Sequence, residues 1–325
     1  MVKFLKQNIY CTIVQGKYAI RAMVLFESFK QYNTNNFIIL SLDEESDNLL
    51  KNYRHENLTI INYSKFKTEN LTILKNNRST VEFCWTCKSY LISYIFTNYL
   101  NIAWVIYIDS DSCIFGKLDK VLPNDTSYSV LLTPHRSTQI YFNSQIEKSG
   151  IFNAGFIGFR NDKNGVSVLN WWLNKCTSSC SSIVTSDVYG DQLYLNQIPI
   201  LYKGIFECKH LGINAAPWNI TDKLITKSNS SFFVNNDELI HYHFQGFEFI
   251  NQFLFDIYKG NFKINRNIKT TIYKYYLKLF QNILKNKVHN IAKLNISDTN
   301  VNFKLFIIKF LKMLKGFNNI IIYYD

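Results

Sequence analysis

The sequence predicts an α/β protein: a mostly parallel sheet flanked by helices, followed by a helical C-terminal tail. Three observations carry this expectation. Short apolar runs recur at Ile9 to Val14, Phe37 to Leu42, Leu58 to Tyr63 and Trp104 to Ile108. Helical patterns separate several of them, and that alternation implies crossover connections in a parallel sheet. Hydrophobic residues make up 47% of the 325 residues, enough to cover both faces of such a sheet.

The first run is closed by a Gln15-Gly16-Lys17-Tyr18 turn. Ala19, Ala22, Met23, Phe26 and Phe29 then recur at spacings of three and four, the mark of one helical face. The second run ends at Asp43. The stretch from Trp85 to about Tyr99 reads as a helix, and Trp104 to Ile108 as a buried strand. Tyr128 to Leu132 and Phe152 to Phe159 read as further strands, Val166 to Cys176 as a Trp-rich helix, and Leu239 to His243 as a last strand.

Charge divides the chain. From Lys259 onward lie 13 of the 36 Lys and Arg but only two of the 24 acids, Asp298 and Asp325. Of the net charge of +12, the tail therefore carries +11 and the body +1. The expected organisation is a near-neutral domain over residues 1–258 and a basic amphipathic tail over residues 259–325. A near-neutral body argues against a nucleic-acid binder, despite a pI of about 9.2. Lys3 and Lys6 precede an apolar stretch too short for a secretory leader, and no run approaches a membrane span. Seven scattered cysteines suit a reducing, cytoplasmic compartment. Cys84-x2-Cys87 and Cys176-x3-Cys180 could be read as a zinc site, but the first pair flanks Trp85 in a helical stretch without a knuckle glycine.

The stretch VIYIDSDSCIF, Val105 to Phe115, sets Asp109 and Asp111 at the end of a buried strand. Buried carboxylates are costly unless a cation faces them. Ligands of parallel sheets bind beyond the carboxyl ends of the strands, where these two lie. ELIHYHFQGF places His241 and His243 after another strand. Two carboxylates and an imidazole with open positions suit Mn²⁺ or Mg²⁺.

Ordered blocks then resemble the GT-A nucleotide-diphospho-sugar glycosyltransferases, close to the glycogenin-like family 8 and a bacterial nucleotide-diphospho-sugar transferase group. TIVQGKYAIRAMVLFESFKQY resembles the opening strand, loop and helix; EFCWTCKSYLISYI the helix with a site lysine; YIDSDSCIF the Asp-x-Asp strand. FNAGFIGFRND resembles the sugar-pocket strand, YGDQLYLN the Asp-Gln motif, and NAAPWNI and HYHFQGF the closing segments. The resemblance implies that Asp109, Asp111 and His243 hold the metal, with Asp109 also near the ribose. It implies that Tyr18 stacks on the base, most often uracil, and that Lys88 contacts the donor sugar or diphosphate. Asn153, Ala154 and Gly155 would line the sugar pocket, and Asp191 and Gln192 would sit beside the anomeric carbon.

On residues alone, Asp191 could instead cap a short helix, and Asn153-Ala154-Gly155 could be a bulge. The chain also departs from the family. Phe247, Glu248 and Phe249 follow His-Phe-x-Gly where family 8 has Lys-Pro-Trp, leaving Arg78 or Lys88 to serve the diphosphate. Ser89 stands where the bacterial group often has Pro.

In the tail, Lys304, Lys309, Lys312 and Lys315 share one helical arc of Val301 to Lys315, opposite an aromatic and aliphatic face. Ile272 to Lys285 carries Lys274, Lys278 and Lys285 in a similar stripe. Such segments either lie on a membrane surface or pack on the body with their lysines outward. The expected function is a metal-dependent glycosyltransferase moving a sugar, with retention, from a nucleotide-sugar to a glycan or lipid-linked glycan. It would act on the cytosolic side, peripherally at the membrane and without nucleic acid as a partner. The rivals are a non-catalytic membrane or nucleic-acid binding protein with a relic site, and a sugar-nucleotide pyrophosphorylase. The last would need a longer Gly-rich, Lys-containing loop than Gln15-Gly16-Lys17.

Overall fold

The computed structural model describes residues 6–136, 148–229, 231–250, 254–260, 264–288 and 319–323. The chain runs β1 (Gln7–Val14), α1 (Tyr18–Phe29), β2 (Asn36–Ser41), α2 (Glu44–Leu50), β3 (Leu58–Asn62), α3 (Tyr63–Phe66), α4 (Glu69–Asn77), α5 (Thr80–Asn98) and β4 (Ile102–Ile108). There follow β5 (Ser112–Ile114), β6 (Val130–Pro134), β7 (Phe152–Arg160), α6 (Lys163–Ser178) and β8 (Ile205–Glu207). A small meander, β9 (Ile225–Ser228), β10 (Ser231–Val234) and β11 (Asp237–Glu238), leads into β12 (His241–His243).

Seven strands form the central sheet in the order β3-β2-β1-β4-β7-β6-β8. All point the same way except β7, which runs antiparallel to both neighbours. The expected mostly parallel sheet is therefore present, with one reversed strand.

Alternation along the strands divides the interior in two. Tyr10 and Val14 of β1 face α1, packing with Met23, Phe26 and Phe29. Ile9, Cys11 and Ile13 face the other way, against Phe83, Leu91 and Ile95 of α5 and Leu169 and Trp172 of α6. Period-2 alternation thus feeds two helical layers from one strand. Helix α5 begins with a capping box: Ser79 Oγ accepts from Glu82 N, and Glu82 Oε2 accepts from Ser79 N at 3.0 Å.

Of the two basic amphipathic segments, residues 301–315 lie outside the described residues. The other is helical, at Lys274–Lys287, and takes the packed arrangement. Tyr276, Leu277, Phe280, Ile283 and Leu284 join the core on the α1 side, while Lys274, Lys278, Lys285 and Lys287 stay exposed. The Tyr276 ring stacks on Phe244 with centroids 3.9 Å apart. No helix among the described residues is long and apolar enough to cross a membrane.

Candidate active site

At the carboxyl end of β4 the chain leaves the sheet, with Asp109 N donating to Gly155 O at 2.9 Å. It then enters β5, whose antiparallel partner is β12, with Ser112 opposite His243. Phe244 N donates to Asp111 O at 2.7 Å, which fixes the register. Two segments far apart in sequence therefore place His243 Nε2 3.1 Å from Asp111 Oδ1 and 3.8 Å from Asp109 Oδ2.

Among the described residues Asp109, Asp111 and His243 form the one group of three or more potential metal ligands, their ligand atoms all within 4.8 Å of one another. The four cysteines suspected of binding zinc are not assembled into such a group. The trio fits a divalent cation on two further counts. A Cβ at Gly155 would lie 2.8 Å from both Asp109 Oδ2 and His243 Cε1, so any larger residue would invade the space between the ligands. Burial alone would raise the Asp111 carboxyl, yet the His243 ring and Arg21 hold it down at about 2. For His243, burial opposes the charge but Asp111 raises its pKa. Each group thus favours the other's charge, and a divalent cation placed there would take over that task for the carboxylate.

Beneath the trio lies a second charge cluster. Lys88, only 4% exposed, reaches in from α5. Its Nζ stands 3.1 Å from Asp109 Oδ1 and 3.4 Å from Asp191 Oδ2, and donates to Ala154 O at 3.4 Å. Asp191, 3% exposed, does not cap the 3₁₀ turn that follows it, which has no side-chain cap. Burial pushes its carboxyl up to about 6, against the pull of Lys88 and with an added push from Asp109.

Gln192 is fixed on three sides. Its Oε1 accepts from Asn153 Nδ2 at 3.0 Å and from Ala154 N at 3.1 Å, and its Nε2 donates to Ser149 O at 2.7 Å. Asn153 Oδ1 in turn accepts from Gly155 N and Asn214 Nδ2. Lys88, Asp109, Asp111, Ser149, Asn153, Asp191, Gln192 and His243 border a cleft of about 710 Å³, which is also lined by Tyr18, 47% exposed, with Gln15 and Gly16.

The structure brings together Tyr18, Lys88, Asp109, Asp111, Asn153, Ala154, Gly155, Asp191, Gln192 and His243. Arg78 does not join them, which corrects the expectation that it could serve the diphosphate. Its guanidinium is spent on helix ends: Nη1 donates to Cys176 O at 2.7 Å and to Thr86 Oγ1, and Nη2 to Thr177 O at 2.6 Å.

His241 lies behind the site, where its Nδ1 accepts from Asn214 N at 3.1 Å. His241→Ala should therefore raise the Mn²⁺ needed for half-maximal activity by about tenfold, the lower end of the range for outer-shell partners. His243→Ala should raise it further. Metal titrations of both variants check this; the reverse order would move the ligand to His241.

Sequence reasoning missed three groups. Arg21 stands 3.7 Å from Asp111 Oδ2. Asp43 receives Gly16 N at 3.0 Å and shapes the turn before Tyr18. His135 lies 3.4 Å from Asn153 Nδ2. The Asp43 signal was present, since a carboxylate at the end of a second strand repeats the pattern of Asp109.

The mostly parallel sheet flanked by helices is a fold shared with solved glycosyltransferases. The solved galactosyltransferase LgtC, in complex with donor and acceptor sugar analogues, superposes with a TM-score of 0.51. The identity is 15%, and the match covers 88% of this chain and 99% of that one; at this identity the likeness is one of fold. Two Bacillus subtilis (strain 168) proteins, both described as uncharacterized, are similar in sequence. YfnD is 26% identical over 251 residues, covering 76% of this chain and 80% of its own. YfnF is 27% identical over 249 residues, covering 74% and 82%. No protein-family model matches the chain.

Proposed function

We propose that the protein is a metal-dependent glycosyltransferase that moves a sugar from a nucleotide-diphospho-sugar, most simply a UDP-sugar, to a glycan acceptor, with retention. The observation that carries this reading is the convergence of Asp109, Asp111 and His243 on one point of a cleft that also holds the Lys88–Asp191 pair. The GT-A architecture and the ordered sequence blocks support it, and the blocks alone support retention and the uracil base.

Asp109, Asp111 and His243 would hold Mn²⁺ or Mg²⁺. When bound, the ion supplies positive charge against which a nucleoside diphosphate leaves. Tyr18 offers a half-exposed ring for the base. Lys88, charged and shielded from water, is a point charge on the donor side of the trio. Asn153, Ala154 and Gln192 are locked to one another, so the sugar meets fixed polar atoms rather than mobile ones. Screening nucleotide-sugars for Mn²⁺-dependent hydrolysis, with proton NMR of the released sugar, tests donor and stereochemistry together. Release of the retained anomer supports the reading; no hydrolysis of any donor sinks it.

The acceptor in this reading is lipid-linked, and the protein works on the cytosolic side of an anionic membrane. The outward stripe of Lys274, Lys278 and Lys285 supports this. Because the apolar side of that helix is in the core, its contribution is charge alone, about 1 kcal/mol per lysine near the surface. Recovery on anionic vesicles should exceed recovery on neutral ones and fall with added salt. Equal recovery on both would remove the membrane from the proposal.

A further inference from the structure

Tyr18 and Asp111 of the cleft share one neighbour that neither role accounts for. Arg21 is the one cation on α1, whose neighbouring positions Ala19, Ile20, Ala22, Met23 and Val24 are buried. Its guanidinium carbon lies 4.2 Å from the centre of the Tyr18 ring and 5.7 Å from that of Phe247. Nη2 donates to Phe247 O at 2.7 Å, and Nη1 stands 3.7 Å from Asp111 Oδ2. Its side chain is 13% exposed. The other charged group near it, Glu248, has Lys259 at 3.0 Å.

We propose that Arg21 is a positioning residue that couples two parts of the donor site, holding the Tyr18 ring and the Asp111 carboxylate with one guanidinium. This rests on the reading of the cleft as a metal-dependent nucleotide site. A planar cation on one face of Tyr18 fixes the ring and leaves its other face to the ligand. The same charge beside Asp111 repels an arriving divalent cation, and little water is present to screen it. Arg21 therefore favours the nucleotide and opposes the bare metal. Loss of the charge must move the two affinities in opposite directions, whereas a general loosening of the site weakens both.

The test titrates the full chain and its Arg21→Met and Arg21→Lys variants with Mn²⁺ alone, then with UDP at saturating Mn²⁺, by calorimetry. Arg21→Met should bind Mn²⁺ about three- to tenfold tighter and UDP about tenfold weaker. Arg21→Lys keeps the charge but cannot stack flat. It should bind Mn²⁺ within about twofold of wild type and UDP less tightly. Both affinities of Arg21→Met moving the same way, or neither moving, would overturn the coupling. If Arg21→Met does not fold, Arg21→Lys decides, and an unchanged UDP affinity overturns it. If wild type binds Mn²⁺ but no UDP, the nucleotide reading fails first and the coupling with it.

Discussion

Asp111→Asn should lower donor turnover by about a thousandfold while leaving the protein folded. The substitution keeps the side-chain volume, so no cavity opens. It removes the carboxylate that His243 approaches to 3.1 Å and that lies nearest Arg21. A divalent cation losing one of two anionic ligands binds weakly. Metal stabilisation of a leaving diphosphate contributes several kcal/mol, and about 4 kcal/mol corresponds to a thousandfold. Asp109→Asn should behave similarly, with the added loss of the carboxylate that Lys88 and the Tyr107 hydroxyl approach. Turnover under limiting Mn²⁺, alongside circular dichroism, checks both variants. Near-normal turnover in either would remove the metal role of that residue.

Lys88→Met should cost about a hundred- to a thousandfold in turnover, the range seen when one donor to developing negative charge is removed. Its effect on stability should depend on pH. Asp191 in the folded protein titrates at about 6, above its ordinary value of 3.8. Stability from this group is therefore fully present below about pH 4 and is lost as pH rises through 6. Lys88 limits that loss by favouring the ionised carboxylate. Without it the folded value rises further, and the cost of ionising Asp191 at neutral pH grows. The variant loses the Asp109 contact at both pH values, so the test is the difference: its deficit should be roughly 3 kcal/mol larger at pH 8 than at pH 5, as buried pairs lose when one partner is removed. Urea unfolding at the two pH values measures this. An equal deficit at both would mean that Lys88 does not favour the ionised Asp191.

How much of this was legible in the sequence depended on the reach of each signal. The strands and helices are local patterns, and β1 through β4 lie within a residue or two of their apolar runs. The reversed direction of β7 is not local, because periodicity carries no strand polarity. Asp109 and Asp111 were legible because carboxylates at the end of a buried strand violate the pattern around them. His243 followed from its own block. Arg21 was not legible: it interrupts an apolar helix face, and its carbonyl partner at Phe247 lies 226 residues away. Arg78 was misplaced for the same reason, since the carbonyls that hold it are 98 and 99 residues distant. The helix Lys274–Lys287 was readable two ways, because one amphipathic pattern serves both a membrane surface and a protein core.

The most direct test is calorimetric titration of UDP into wild-type protein and Asp111→Asn, each with Mn²⁺ and again with EDTA. Binding to wild type with Mn²⁺, and its loss both with EDTA and in Asp111→Asn, is the expected result. UDP binding of equal strength with EDTA, or no binding in any condition, would contradict a metal-centred nucleotide site. The second outcome would leave a GT-A scaffold carrying a relic of one.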